Sequence, residues 1–187
     1  MAETQDQPSG APAQPAPPPP PPPPIQPVAG VDEAREGVAS ATAGLEATMQ
    51  RAAALADEDR HRQVNDEWST VESLRHVVFV VDLWLSKVVL GEPDPFDPMG
   101  LPPTFMPARF PDSSIDPEAR PSFDEVCQVL AGRLARLSTY VEGLTPEELD
   151  RPIKAHAGTV AGALSVIFTE LKAHTRFINR DLDLITA

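Results

Sequence analysis

The chain has 187 residues, a single cysteine and a formal net charge of −13, a length that suits one domain with a sizeable core plus a tail. The excess of acid argues against nucleic acid or an anionic membrane surface as partner, because either needs basic side chains to neutralise phosphate. The lone Cys127 excludes an internal disulfide framework, and no apolar run is long enough for a signal or membrane-spanning segment, so a reducing cytoplasm is the expected location.

Residues 1–29 read as a disordered tail. Pro, Ala and Gln dominate it, and the unbroken prolines from Pro17 to Pro24 can make neither helical nor ladder hydrogen bonds. No PxxP register stands out from the run, so a spacer is expected rather than a docking motif. Residues 30–187 are expected to form one domain.

Helix one follows Gly30, with Val31, Val38, Leu45, Met49 and Leu55 at helical spacing, and ends at "ADEDR". In helix two Ser69 is placed to cap, Glu72 sits three residues on as capping-box partner, and Gly91 with Pro93 stops the helix. Its interior is apolar on most faces, which predicts a central position. Helix three starts at Ser122, again with Glu125 at the capping-box position, and runs through Val126, Leu130, Leu134, Leu137 and Val141 to Gly143. After a short capped turn at "TPEELD", helix four starts near Thr159 and places Val160, Leu164, Ile167, Leu171, Ile178, Leu182 and Ile185 on one stripe. Four long helices and no convincing strand predict an all-α four-helix bundle.

Helices two and three are joined by about thirty residues, from Gly91 to Pro121, far more than antiparallel neighbours need. A crossover of that length lets the two run parallel. Its Phe96, Met99, Leu101, Phe105, Met106 and Phe110 are too apolar for free solvent, so the loop is expected to pack over the bundle as a lid.

Two helices carry polar residues where burial is expected. In helix four His174 lies inside the edge of the apolar stripe, with Glu170 one step further on the same side. In helix two His76 is set within "LRHVVFVVDLWL". At ~1.5 Å rise per residue, His174 stands ~22 Å above the start of helix four, and His76 stands ~10 Å below the start of a helix ~33 Å long. Antiparallel packing of helices two and four brings the three residues to one level; parallel packing separates them by ~12 Å. Two imidazoles and a carboxylate in one layer suit zinc first, with nickel or ferrous iron as alternatives, and three protein ligands leave a position open for water or substrate.

The motifs "WSTVESLRHV" and "SVIFTELKAHTRFINRDLDLI" resemble the second-helix and last-helix motifs of the DinB-like metal-binding four-helix-bundle superfamily, in its mycothiol-dependent maleylpyruvate isomerase and thiol transferase branch. The resemblance covers most of Val31 to Ala187. It implies an up-down-down-up bundle, metal ligands at His76, Glu170 and His174, and mycothiol or a similar thiol as cosubstrate. Many relatives have histidine where Glu170 stands. Isomerases of this kind carry a further C-terminal domain, and the end of this chain at Ala187 leads to an expectation of general thiol transfer.

His61 and His156 fall in polar loops and read as surface residues. Cys127 reads as inert packing on helix three, and Glu72 as either a second partner of His76 or a solvated capping group. Asp82 and Trp84 receive no role. There is no HExxH, Gly-rich phosphate loop, GxSxG elbow or CxxC pair. The expected function is a divalent-metal-dependent enzyme that activates a small thiol for transfer to an electrophilic small molecule. The alternatives are a metal-dependent hydrolase and a non-catalytic metal-binding bundle acting as an interaction module. A homodimer is also expected, through helix one and the apolar crossover.

Overall fold

The computed structural model describes residues 26–103 and 113–187. The polyproline run, and Phe105, Met106 and Phe110 of the crossover, lie outside the described residues. Four long helices carry the core: α1 (Val31–Ala53), α3 (Thr70–Val81, prolonged by a π-helical segment Asp82–Val89), α4 (Phe123–Glu142) and α6 (Val160–Thr186). The single turns α2 (Asp57–Arg60) and α5 (Pro146–Leu149) sit in the connections before α3 and α6. Among the described residues no β-strand forms; one isolated bridge pairs Pro152 with Thr159.

Local chemistry explains the helix starts. Ser69 accepts from the Glu72 amide while the Glu72 carboxylate accepts from the Ser69 amide, and Ser122 and Glu125 repeat the arrangement, so both expected capping boxes form. Thr145 and Thr159 cap α5 and α6 through their hydroxyls. The sequence pattern implied a regular second helix to Gly91, whereas its last eight residues wind as a π-helix, closed by Gly91 at φ 73°, a left-handed conformation that favours glycine. Gly162 has a different reason: a Cβ there would lie 2.0 Å from the Ala157 carbonyl oxygen, so the loop before α6 can fold back onto its first turn only over a glycine.

Around the bundle the neighbours run α1, α6, α3, α4 and back to α1. Their contacts give the directions. The Val28 amide donates to Ser165 Oγ at the start of α6 and the Asn179 side chain donates to Thr48 near the end of α1, so these two helices run together. Asp82 meets Arg133 and Ser86 meets Arg136, so α3 and α4 also run together. Arg35 reaches the Glu142 carbonyl and Arg180 pairs with Glu67 just ahead of α3, which sets α1 against α4 and α6 against α3. The core comprises the expected residues of α4 and, in α6, Val160, Leu164, Ile167, Leu171, Ile178 and Leu182. Ile185, expected on the same stripe, is only half-buried in the final turn.

Helix α3 is buried nearly all round, with Glu72 the only residue of Thr70–Val81 outside the buried set. Its Arg75 is therefore an enclosed guanidinium, and both limbs of the crossover come to meet it. Nε donates to the Met99 carbonyl at 2.7 Å, and one terminal nitrogen to the carbonyls of Asp116 at 3.1 Å and Pro117 at 3.5 Å. Phe96 stacks on Phe79 with ring centroids 5.8 Å apart. Replacing Arg75 by Met keeps a long unbranched side chain but removes the donor from the Met99 and Pro117 carbonyls, while the Asp116 carbonyl keeps the Ala119 amide, so the variant should unfold with a stability lower by about 2–4 kcal/mol, read from denaturant midpoints. An unchanged midpoint would mean that the crossover is held by its apolar contacts alone.

Candidate metal centre

Two elements build the centre. On α3 the sequence places Ser73 and His76 one turn apart, and on α6 it places Glu170, His174, Phe177 and Asp181 along one face. Because the helices run in opposite directions, His76 faces Glu170 and His174 at mid-height. Glu170 Oε2 stands 3.9 Å from His76 Nε2 and 3.7 Å from His174 Nε2, and one ligand atom from each residue lies within 4.8 Å of the others.

These separations are too long for hydrogen bonds. They fit a shared ion, since two ligand atoms each ~2.1 Å from a tetrahedral zinc stand ~3.4 Å apart. The tautomers fit as well. His76 Nδ1 donates to the Leu101 carbonyl at 2.9 Å, so its Nε2 carries a lone pair towards the group. That carbonyl belongs to the crossover, so the described part of the expected lid reaches the metal layer. His174 has no such guide: its Nδ1 is buried without a partner among the described residues, and the ring is held between Trp68, centroid 6.1 Å away, and Phe177, 5.8 Å away and perpendicular to it. Trp68 also lies 4.8 Å from His76 and closes one side of the layer.

Burial pushes the protonation of His76 down, and burial with the nearby His76 pushes His174 down to about 3. Burial likewise raises Glu170. Two neutral imidazoles and a carboxyl group short of positive charge are what a divalent cation would complete. One expectation needs correction. Glu170, on a face where burial is expected, is only partly enclosed: its side chain keeps 36% of its exposure and water can solvate it. Convergence of the three donors, not the burial cost of Glu170, is what supports an ion here. The three residues together could hold a divalent metal.

The remaining candidates fall elsewhere. His61 is exposed and bonds the Asp57 carbonyl; His156 is exposed, with its ring edge-on to Trp84. Cys127 is half-buried with its thiol pushed up to about 11 by burial, which suits packing and not nucleophilic attack. Glu72 is spent on the capping box and on Gln63, leaving His76 to the Leu101 carbonyl. Asp82, without a role in the sequence, is a buried carboxylate held by Arg133 and by the Asp97 amide. Sequence reasoning also passed over Trp68 and Arg75, though both stand inside the quoted motif. The Leu101 carbonyl has no side-chain signal by which it could have been found.

A helical bundle with two histidines and a glutamate gathered between facing helices defines a candidate metal-binding four-helix protein. The family description DinB superfamily matches residues 40–178, and the chain belongs to that superfamily. Neither a curated protein nor a solved structure matches it. Among the described residues no helix is long and apolar enough to cross a membrane.

The depressed histidines make a pH prediction for the metal-free protein. In the unfolded chain a histidine binds its proton near pH 6.5, while folded His174 does so only near 3, so the unfolded state gains protons as pH falls through that window and the fold loses stability. Between pH 7 and pH 5, with chelator present, the parent should lose about 2 kcal/mol more than His174→Ala, measured by denaturant unfolding. Equal losses would show that folded His174 accepts a proton readily.

Proposed function

We propose that the chain is a divalent-metal-dependent enzyme that activates a low-molecular-weight thiol, mycothiol or one like it, and presents it to an electrophilic small molecule. The observation that carries this reading is the convergence of His76, Glu170 and His174 on one point beside an open pocket of about 390 Å³, into which His174 and Trp68 face. His76, Glu170 and His174 would hold the ion, with zinc the best match to two imidazoles and a carboxylate. When bound, a divalent cation supplies the Lewis acidity that lowers a thiol's pKa from ~8.5 and leaves a thiolate at neutral pH.

The protein's own groups prepare that chemistry. The Leu101 carbonyl keeps the His76 proton on Nδ1, so Nε2 stays available. Trp68 and Phe177 exclude water from the two sides of His174. Glu170, partly exposed, is the member of the trio nearest to solvent. Mycothiol as the thiol rests on the resemblance of the two helix motifs to the isomerase and transferase branch. A homodimer and a cytoplasmic location complete the proposal.

Purified protein should carry one divalent ion per chain by elemental analysis. His76→Ala and His174→Ala should each abolish it, and His61→Ala and His156→Ala should keep it. Chelator should lower the parent's melting temperature by about 5–10 °C and barely move that of His174→Ala, because the ion fastens α3 to α6. Conversion of an aryl halide with mycothiol should require the bound metal. Stoichiometric metal without thiol-dependent turnover would leave the ion a fastener; no metal on titration with zinc, nickel or iron would end the enzyme reading.

A further inference from the structure

The pocket beside the centre extends along α6 towards its C-terminal end, and its walls bear a charge pattern that metal binding does not explain. From His174 to Asp181 is seven residues, ~10 Å along the helix, enough for a small molecule to touch both. Trp68 and Phe177 supply apolar faces. Beyond them stand the carboxylates of Asp66, Glu67 and Asp181 against one guanidinium, Arg180.

Two polar groups in this wall are buried and incompletely paired. Ser73 is 4% exposed, and its hydroxyl makes no hydrogen bond among the described residues. Asp181 is 5% exposed and meets Arg180 through Oδ1 alone, at 2.8 Å from Nε and 2.7 Å from a terminal nitrogen, leaving Oδ2 without a donor among the described residues. Neither atom is sealed from solvent, since the fully buried unpartnered side-chain atoms among the described residues are Thr42 Oγ1, Thr70 Oγ1 and His174 Nδ1. A hydroxyl and a carboxylate oxygen that both lack donors, flanked by two aromatic rings, form a receptor for an N–H-bearing cation.

We propose that this pocket binds the ammonium or guanidinium end of a small molecule through Asp181 Oδ2 and Ser73 Oγ, with its apolar part against the pocket-lining faces of Trp68 and Phe177. The inference rests on the reading of the site as one that takes small-molecule ligands, and it specifies their charge. Ligands are cationic at the end remote from the centre, and dicarboxylates are disfavoured there. Arg180 is the built-in competitor, because it spends part of the wall's negative charge on itself.

The test uses three probes of one shape: 2-phenylethylamine, 2-phenylethanol and 3-phenylpropionate. Each is titrated by calorimetry into metal-stripped and zinc-loaded protein at pH 7. In the metal-stripped chain, where the carboxylate probe has no ion to bind, the amine should bind at least tenfold more tightly than the other two. Asp181→Asn should weaken the amine about tenfold and leave the alcohol unchanged; Ser73→Ala should weaken it about threefold. Arg180→Gln should tighten it about threefold, a gain that damage to the fold would not produce. No amine binding, equal binding of the acid, or an amine affinity indifferent to Asp181→Asn in a variant with the parent's circular dichroism would overturn the proposal. Metal content measured on the same samples separates the two ideas. A chain that prefers the amine but holds no metal keeps this inference and loses the proposed enzyme, and a chain that holds metal without preferring the amine does the reverse.

Discussion

Everything in this bundle bends to the burial of α3. A helix enclosed on nearly every side cannot leave its polar side chains to water, and Arg75, His76 and Asp82 all lie on it or on its π-helical continuation. An unpaired buried polar group costs a few kcal/mol, and a charged or aromatic one is the hardest to leave alone. The small hydroxyls of Thr70 and Ser73 on the same helix have no partner among the described residues, whereas Arg75, His76 and Asp82 find partners in protein. The crossover supplies them: carbonyls of Met99, Asp116 and Pro117 for Arg75, the carbonyl of Leu101 for His76, and the Asp97 amide for Asp82. A connection that looks too long for its task is long because it carries backbone to three places on one helix.

That arrangement links stability to the centre. The backbone that satisfies Arg75 is continuous with the backbone that sets the His76 tautomer, so the crossover's position and the direction of the Nε2 lone pair are not independent. On the opposite wall α6 contributes its residues by simple helical repetition, and only their register against α3 matters. That register is held at one end by Arg180 with Glu67 and at the other by Arg151, which donates to the Val89 carbonyl. The candidate centre lies between these two ties. Arg180 thus serves both the register of the helices and the charge of the adjoining pocket.

The two aromatic walls have a comparable double use. Trp68 stands just before the capping residue Ser69, so the start of α3 places its indole against His76 and His174 as a consequence of where the helix begins. Phe177 stays 43% exposed, a cost in apolar surface that makes sense where a ligand or partner covers the ring.

Helix existence, both capping boxes, the core stripes of α4 and most of α6, and the meeting of His76, Glu170 and His174 were all legible in the linear sequence. Each depends on local spacing, or on adding ~1.5 Å per residue along two rods laid antiparallel. The partial exposure of Glu170, the half-burial of Ile185, the π-helical end of α3 and the pairing of Asp82 with Arg133 were not legible. Neither were the donor-free oxygens of Ser73 and Asp181. Spacing says which face of a helix a residue occupies, but not how far a neighbouring element extends over it or which backbone carbonyl arrives beside it. Those outcomes depend on contacts between residues dozens of positions apart, 51 between Asp82 and Arg133 and 25 between His76 and Leu101, and only the packed chain decides them.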